Sequence, residues 1–379
     1  TRDGGLCGDG VVGERGDAMA GELVVVEYAS LADGGSDLSE ALERAYGPGG
    51  FGVLGIRNVP DFVAAKRAVL TQAHQLAHLP EESLRKLEDE RSLYNVGWSH
   101  GKEKLGDKPD FAKGSFYFNP LTDTPGTAED RERFPVSYPC NVWPKEDMPE
   151  FEPAAKHLGT LMHNVCVLLA QHVDKFAKSK VPDYVPVLGE AIKATDKAKG
   201  RLLYYFPLNE EAKKEDSPDS WIGWHNDSGF LTCLAGDMYV NDDTGEEIEC
   251  PDPRAGLYVV DRSGNDVKVA IPAECMAIQL GECVQIITGG AVKATPHCVR
   301  GAAPADASVK VARVSHPVFI DTPPSFPLTI PSGLTREDVI AGAVSDKVPA
   351  LGDRWTSDGQ QFGDFLQATF QRYYEFAKK

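Results

Sequence analysis

The feature that most constrains the fold is a series of short β-rich runs between turn residues in the second half of the chain. The series starts at residue 201, and its members are RLLYYFP, GFLTCL, GLYVV, VKVAI, CMAIQL, CVQIIT and VKVARVSHPVFI. Short β-branched and aromatic runs that recur at roughly 8–12-residue spacing are typical of sandwiches and barrels, not of βαβ units. The sequence therefore predicts a mainly β protein whose core is a β-sandwich or a jelly roll.

Helical patterns flank this series on both sides. SDLSEALERAYG and DFVAAKRAVLTQAHQLAHL precede it, GFGVLGI between them resembles a strand, and apolar residues from Leu158 to Phe176 mark a long amphipathic helix. Residues 90–150 are aromatic and Pro-rich, which predicts a long ordered loop region, and the tail FGDFLQATFQRYYEFAKK returns to helix. We expect one integrated unit with an N-terminal helical and loop region (1–150), a β core (151–325) and a C-terminal helical extension (326–379).

Charge and cysteine content narrow the class of protein. The 379 residues carry a formal net charge of −18, which argues against a general binder of nucleic acid or anionic membranes because such binders need a positive potential. The eight cysteines form no CxxC pair, which indicates reduced thiols. Neither a membrane-spanning run nor the apolar core of a signal peptide occurs. We expect a cytoplasmic monomer that acts on a small molecule, with a removed organellar targeting segment as the alternative.

The stretch WHNDSGFLTCL carries the strongest chemical signal. His225 and Asp227 are two positions apart in front of a β-rich run, so in an extended segment both side chains point to the same side. GECVQIITGGAVKATPHCVRG predicts a strand, a Gly-Gly turn and a second strand that brings His297 back as a third ligand. Two histidines and one carboxylate leave part of an ion open, which is the pattern of non-haem iron(II), whereas zinc more often takes His-rich or Cys-rich sets.

A second signal follows in ARVSHPVFI. Arg313 and Ser315 lie on one face of the predicted strand, where a guanidinium and a hydroxyl can together receive a carboxylate. The alternative for Arg313 is an ordinary salt bridge.

Other motifs have structural explanations. GPGGFG fits a dinucleotide fingerprint in letters, but here a helix precedes it and a strand follows, which is the reverse of the required order. Ser228 lies too close to His225 and Asp227 in sequence to complete a hydrolase triad. His74 and His78 are four residues apart, but the segment between them lacks the Glu of a zincin helix, so we interpret them as surface or core histidines.

Taken in order, RLLYYFP, WHNDSGFLTCLAGD, GLYVV, GECVQIITGGAVKATPHCV and ARVSHPVF resemble the iron(II)/2-oxoglutarate-dependent oxygenases of the isopenicillin N synthase-like group. The resemblance covers roughly residues 200–320. It implies a double-stranded β-helix (jelly roll) that holds iron(II) through His225, Asp227 and His297. It also implies that 2-oxoglutarate binds through its far carboxylate to Arg313, Ser315 and Tyr205. The implied reaction consumes O₂ and 2-oxoglutarate, releases succinate and CO₂, and hydroxylates, desaturates or cyclises a small metabolite.

The sequence departs from the family pattern in three places. Leu203 stands where plant members usually have Asn, which weakens one cosubstrate contact, and an acidic insertion lies between Asp237 and Gly256. The stretch RGAAPADAS also lengthens the interval between His297 and Arg313. Two alternatives stay open: an iron(II) oxidase of the same fold that does not use 2-oxoglutarate, and a non-enzymatic jelly-roll binding module.

The aromatic region that precedes the β core matches in position the part of the related enzymes that lies across the pocket mouth. From this position we expect four aromatic residues to line the substrate pocket: Tyr94, Trp98, Phe116 and Tyr117. If they do not, the C-terminal helix around Phe362 and Phe365 is the alternative lining.

Overall fold

The structure, a computed structural model, describes residues 20–102, 104–105, 108–208, 221–302, 309–341 and 345–376. The strands are β1 (Ala20–Gly21), β2 (Val24–Glu27), β3 (Val53–Arg57), β4 (Gly97–His100), β5 (Lys104–Leu105), β6 (Lys108–Pro109), β7 (Lys113–Phe118), β8 (Ala198–Tyr205), β9 (Ile222–His225), β10 (Leu231–Asn241), β11 (Glu247–Ile248), β12 (Gly256–Val260), β13 (Asp266–Val269), β14 (Met276–Leu280), β15 (His297–Arg300), β16 (Val311–Ile320), β17 (Pro327–Leu328) and β18 (Gln360–Gln361). The helices are α1 (Tyr28–Ala32), α2 (Ser39–Tyr46), α3 (Phe62–Leu70), α4 (Ala73–Ala77), α5 (Glu81–Lys86), α6 (Ala128–Arg133), α7 (Phe151–Lys180), α8 (Leu188–Ala194), α9 (Glu282–Ile287), α10 (Arg336–Ile340) and α11 (Phe362–Phe376).

The larger of two main sheets is mixed and has the order β2-β3-β14-β10-β16-β8-β7-β4, with β11 paired to β10. Strands β2 and β3 are parallel, and the other pairs along the sheet are antiparallel. Strands from the first 150 residues form both edges of this sheet, so the N-terminal region is hydrogen-bonded to the β core. The prediction of a sheet-rich protein is confirmed, while the domain boundaries at residues 150 and 325 stay predictions.

The smaller main sheet has the order β1-β13-β12-β15-β9. A cavity lies between the two sheets, because strands of both contribute residues to its wall. This arrangement places His225 and His297 of the smaller sheet opposite Arg313 and Ser315 of the larger one.

Helix α7 covers the other face of the larger sheet. It spans Phe151–Lys180, which confirms the long amphipathic helix, and it buries Leu158, Met162 and Leu169 completely. Burial of each such side chain contributes roughly 1.5–3 kcal/mol, so this helix is a main source of the stability of the sheet. No helix in the described ranges combines the length and apolar character needed to span a membrane.

Three secondary-structure predictions were wrong in detail. CVQIIT forms helix α9 instead of a strand, because a short, fully buried helix has no polar face and shows the same continuous apolar run as a buried strand. The helix predicted over DFVAAKRAVLTQAHQLAHL is divided into α3 and α4. The predicted loop region of residues 90–150 contains β4 and β7, which extend the larger sheet, and helix α6.

Candidate metal centre and adjoining cavity

The two histidines of the predicted ligand set lie opposite each other on neighbouring strands. His225 ends β9, His297 begins β15, and the two are direct partners in the antiparallel pairing. Their ring centroids are 4.2 Å apart. His297 lies at the start of a strand that follows helix α9 and an irregular segment. The prediction that a hairpin brings it to the site was wrong.

Both imidazoles direct Nε2 toward Asp227. The Nδ1 atoms are bound to backbone carbonyls, at 2.9 Å to Gly223 for His225 and at 3.1 Å to Thr295 for His297. Because a carbonyl oxygen only accepts, each Nδ1 carries a proton, so in the neutral ring Nε2 is the atom that can bind a metal ion. Enclosure in the protein, followed by the neighbouring His297 ring, lowers the pKa of His225 well below its ordinary value. Such a carbonyl-anchored neutral imidazole is the usual form of a metal-ligating histidine.

Asp227 lies in the segment between β9 and β10 and completes the group. Its Oδ1 is 3.9 Å from Nε2 of both His225 and His297. Its Oδ2 is buried and has no hydrogen-bond partner among the described residues. A buried carboxylate oxygen without a donor is costly unless a cation compensates it. Two neutral nitrogens and this oxygen therefore fit a divalent metal ion, and the donor set is the one typical of non-haem iron(II).

His74, His78 and Asp242 form a second group whose potential ligand atoms lie within 4.8 Å of one another. Several of their polar atoms already have protein partners. His74 Nε2 is 2.8 Å from the Asp242 carbonyl, and the Tyr204 hydroxyl donates to the Asp242 carboxylate at 2.6 Å. His78 Nδ1 is 2.9 Å from the His74 carbonyl. These bonds are those of a structural cluster that ties α4 to β8 and to the end of β10.

Arg313 lies on β16 between two tyrosines in register, Tyr205 on β8 and Tyr239 on β10. The guanidinium is buried and donates from Nε to Asp237 at 3.0 Å, while Nη1 has no hydrogen-bond partner in the described structure. It also lies 5.1 Å from the Tyr205 ring centroid and 5.8 Å from that of Trp221. Burial alone would lower the pKa of Arg313, but the carboxylate of Asp237, followed by the two tyrosines, raises it.

This environment is compatible with both interpretations of Arg313 from the sequence, a salt bridge and a carboxylate receptor. The salt bridge with Asp237 exists, and an unpartnered buried donor is left for a second anion. Ser315 lies two positions further along β16, directly opposite Asp237 and Leu203, and its side chain is also buried. The structure therefore brings Arg313, Ser315 and Tyr205 together in the wall of one cavity.

The cavity has a volume of about 460 Å³, a size common for small-molecule sites. Its wall includes the three candidate ligands and the three candidate cosubstrate residues named above. The acidic insertion also contributes to it: after the β10–β11 hairpin the chain returns through Cys250 and Ala255, which line the cavity. Residues 303–308 of RGAAPADAS lie outside the described residues.

The four aromatic residues predicted to line the pocket are not part of the cavity wall. Trp98 and Phe116 pair across β4 and β7 and lie in the main core, 3% and 0% exposed. Tyr117 lies beside the cavity-lining Arg201, and Tyr94 bonds to Glu90. For Phe116 the reason is the alternation of β7, which turns its side chain toward the core while Lys113 lines the cavity. The alternative residues Phe362 and Phe365 are likewise core residues.

Several residues of this region were not singled out from the sequence. Arg201 lines the cavity on the same face of β8 as Tyr205, and its position four residues earlier in RLLYY was a usable signal. Asp237 had no such signal, because its contact with Arg313 depends on the pairing of β10 with β16. The same holds for Glu282 and Tyr373, which contact the segment between His225 and Asp227.

Comparisons with protein-family models and with curated proteins found no match. Comparison with solved structures found several similar chains. A 2OG-Fe(II) oxygenase family protein from Caulobacter crescentus has a TM-score of 0.61 and 19% identity, covering 93% of this chain and 98% of that one. A full-length Neurospora crassa protein in complex with alpha-KG and thymine has a TM-score of 0.60 and 17% identity, with 93% and 100% coverage. JOX2 in complex with 2OG, Fe and JA has a TM-score of 0.54 and 17% identity, with 93% and 86% coverage.

The chain therefore has the fold of the 2OG-Fe(II) oxygenases over nearly its whole length. The family resemblance inferred from the five sequence blocks is confirmed at this level. The isopenicillin N synthase-like subgroup and the roles of the individual site residues stay predictions.

Proposed function

We propose that this protein is an iron(II)- and 2-oxoglutarate-dependent dioxygenase that hydroxylates or otherwise oxidises a small organic metabolite. The proposal rests on one observation: two groups of residues line the same cavity. One group is the His225, Asp227 and His297 set with free Nε2 lone pairs and an unpartnered carboxylate oxygen. The other is the buried Arg313 with an unpartnered Nη1. A metal site and an anion site in one enclosed space are what a metal-bound keto acid with a second carboxylate requires.

In this proposal each group of residues has a distinct task. His225 and His297 would hold iron(II) through Nε2, and Asp227 would hold it through its carboxylate. Bound iron(II) supplies the redox chemistry that couples O₂ reduction to decarboxylation of 2-oxoglutarate, with succinate and CO₂ as products. Arg313, Ser315 and Tyr205 would bind the far carboxylate of 2-oxoglutarate and so orient its keto acid end toward the metal. We also infer that the two main sheets form the double-stranded β-helix (jelly roll) of the related enzymes.

The substrate class follows from the size and lining of the cavity. A volume of about 460 Å³ must hold both cosubstrate and substrate, which favours a small organic molecule over a polymer. The similar structures of the Neurospora crassa protein and JOX2 contain thymine and JA, respectively. These complexes support a small-molecule substrate.

A second candidate is an iron(II) oxidase of the same fold that does not use 2-oxoglutarate. The ion pair of Arg313 with Asp237 favours it, because Asp237 already compensates the positive charge that would attract a cosubstrate carboxylate. In this case Arg313 and Ser315 would hold a carboxylate of the substrate itself.

Succinate formation distinguishes the two candidates. Purified protein with iron(II), 2-oxoglutarate and O₂ is screened against small organic acids and heterocycles, with Asp227→Ala as the inactive control. The dioxygenase proposal expects succinate formation that a substrate stimulates and that is lost in Asp227→Ala. O₂ consumption that depends on a substrate but not on 2-oxoglutarate would establish the oxidase instead. Neither activity, in protein that binds no iron(II), would refute both.

A further inference from the structure

A buried polar network lies directly behind the candidate metal ligands. Asn226, between His225 and Asp227, donates its backbone N–H to the Tyr373 hydroxyl at 2.9 Å. Its side-chain amide donates to Glu282 Oε1 at 2.8 Å. Because a carboxylate only accepts, this second bond also fixes the orientation of the amide. The residue between the two ligands is thus held from two directions.

Glu282 holds the same segment a second time. Its backbone N–H, the first of helix α9, donates to the Asp227 carbonyl at 2.8 Å. The preceding Gly281 permits this close approach, since a Cβ atom there would lie 2.1 Å from the Gly229 carbonyl oxygen. Three hydrogen bonds from Tyr373 and Glu282 therefore fix the segment from Asn226 to Asp227.

The Glu282 carboxylate is in turn fixed by Arg354. The pair is bidentate, with two contacts of 2.5 Å, and both side chains are 0% exposed. Arg354 also donates to Thr369 Oγ1 at 3.2 Å, and its guanidinium lies 5.6 and 5.7 Å from the rings of Phe365 and Tyr373. These three contacts come from successive turns of one face of α11. The C-terminal helix is therefore connected through Arg354 and Glu282 to the metal-ligand segment.

A fully buried ion pair is costly to form, and replacement by apolar residues is often as stable. Here the ion pair holds Glu282, which is hydrogen-bonded to the Asn226 side chain and to the Asp227 carbonyl. This arrangement indicates that the position of the segment from Asn226 to Asp227 must be fixed accurately. We propose that Tyr373 and Glu282 are positioning residues that set the distance of the Asp227 carboxylate from the two Nε2 atoms, and that α11 thereby determines metal affinity. This inference rests on the proposed metal site.

Two single substitutions test the network without leaving a buried charge unpaired. Tyr373→Phe removes only the acceptor of the Asn226 N–H, and Asn226→Ala removes only the side-chain bond to Glu282. Tyr184→Phe is the control, because Tyr184 is a buried tyrosine whose hydroxyl donates to Asp174, and it lies outside the cavity wall and the network. Metal binding is measured by calorimetric titration of the metal-free proteins with Co(II). The visible absorption of bound Co(II) reports the ligand geometry.

We expect both network variants to bind Co(II) about 10- to 100-fold more weakly, the usual effect of removing an outer partner of metal ligands. The visible spectrum should change in these two variants and stay parent-like in Tyr184→Phe, although all three lose some thermal stability. Parent-like affinity and spectrum in Tyr373→Phe would overturn the role of the C-terminal helix. A parent protein that binds no Co(II) would instead refute the metal site, and with it the proposed function.

Discussion

Replacing Arg313 by Lys should weaken the binding of 2-oxoglutarate strongly and leave metal binding unchanged. The guanidinium pairs through Nε with Asp237 at 3.0 Å, which leaves Nη1 for a second carboxylate. A lysine keeps the charge, but its single ammonium group cannot serve Asp237 and a ligand with the same fork geometry. Loss of one charge-assisted hydrogen bond in a buried site costs about 1.5–3 kcal/mol. At about 1.4 kcal/mol per factor of ten, the dissociation constant should rise about 10- to 100-fold.

The assay is calorimetric titration of 2-oxoglutarate into Mn(II)-loaded protein without O₂, with Mn(II) affinity measured on the same preparations. Arg300→Lys is the matched control. Arg300 also pairs with an aspartate, Asp266 at 2.7 Å, and lies 3.8 Å from the Tyr258 ring centroid, but it is not part of the cavity wall. We expect this control to bind 2-oxoglutarate as the parent does.

Asp237→Asn should change the affinity for 2-oxoglutarate in the opposite direction. Removing the carboxylate that competes for Arg313 should make 2-oxoglutarate binding tighter. If Arg313 serves only the salt bridge with Asp237, both substitutions will lower the free energy of unfolding without any effect on 2-oxoglutarate. An Arg313→Lys protein that binds 2-oxoglutarate as tightly as the parent would therefore refute the assigned role.

Three further predictions concern the ligands, one buried acid and the predicted aromatic lining. The variants Asp227→Ala and His297→Ala should each lose bound iron(II), measured by elemental analysis, and should each lose turnover. Undiminished iron in either variant would contradict the ligand assignment. Burial raises the pKa of Asp321 to about 6, so the folded metal-free protein binds a proton more tightly than the unfolded chain. The contribution of Asp321 to the free energy of unfolding should then be fully present below pH 4 and fall by up to about 3 kcal/mol as the pH rises through 6. Urea unfolding of Asp321→Asn should show a flatter pH profile, and a pH-independent difference from the parent would contradict this reasoning. Trp98→Ala and Phe116→Ala should each lower the free energy of unfolding by about 3–5 kcal/mol with the substrate KM unchanged in the folded fraction, and a raised KM with normal stability would return these residues to the pocket.

The sequence was most informative where one strand alone determines the relation between residues. The placement of Arg313 and Ser315 on one face follows from the two-residue period of a strand, and the structure has both in the cavity wall. The same period places Arg201 and Tyr205 together on β8. Such relations need no knowledge of the neighbouring strands.

Relations between elements were not accessible in this way. The partner of Arg313 depends on the register of β10 with β16, in which Asp237 comes opposite Ser315 after an irregularity in the pairing. The run CVQIIT is buried on all sides, so no period distinguished helix from strand. Glu282 therefore gave no sign that it begins a helix and contacts Asn226.

The cavity wall changes in chemistry along strand β16. Along β16 the residues that line the cavity are Arg313, Ser315, His316, Pro317 and Phe319, so the wall changes from charged to apolar along one strand. Two residues of a strand advance roughly 6.5 Å, which places Phe319 far from Arg313. The candidate metal ligands come from the other sheet and from the segment before β10. Substitutions at Phe319 can therefore change the shape of the cavity without altering Arg313, which is how one fold can serve different small-molecule substrates.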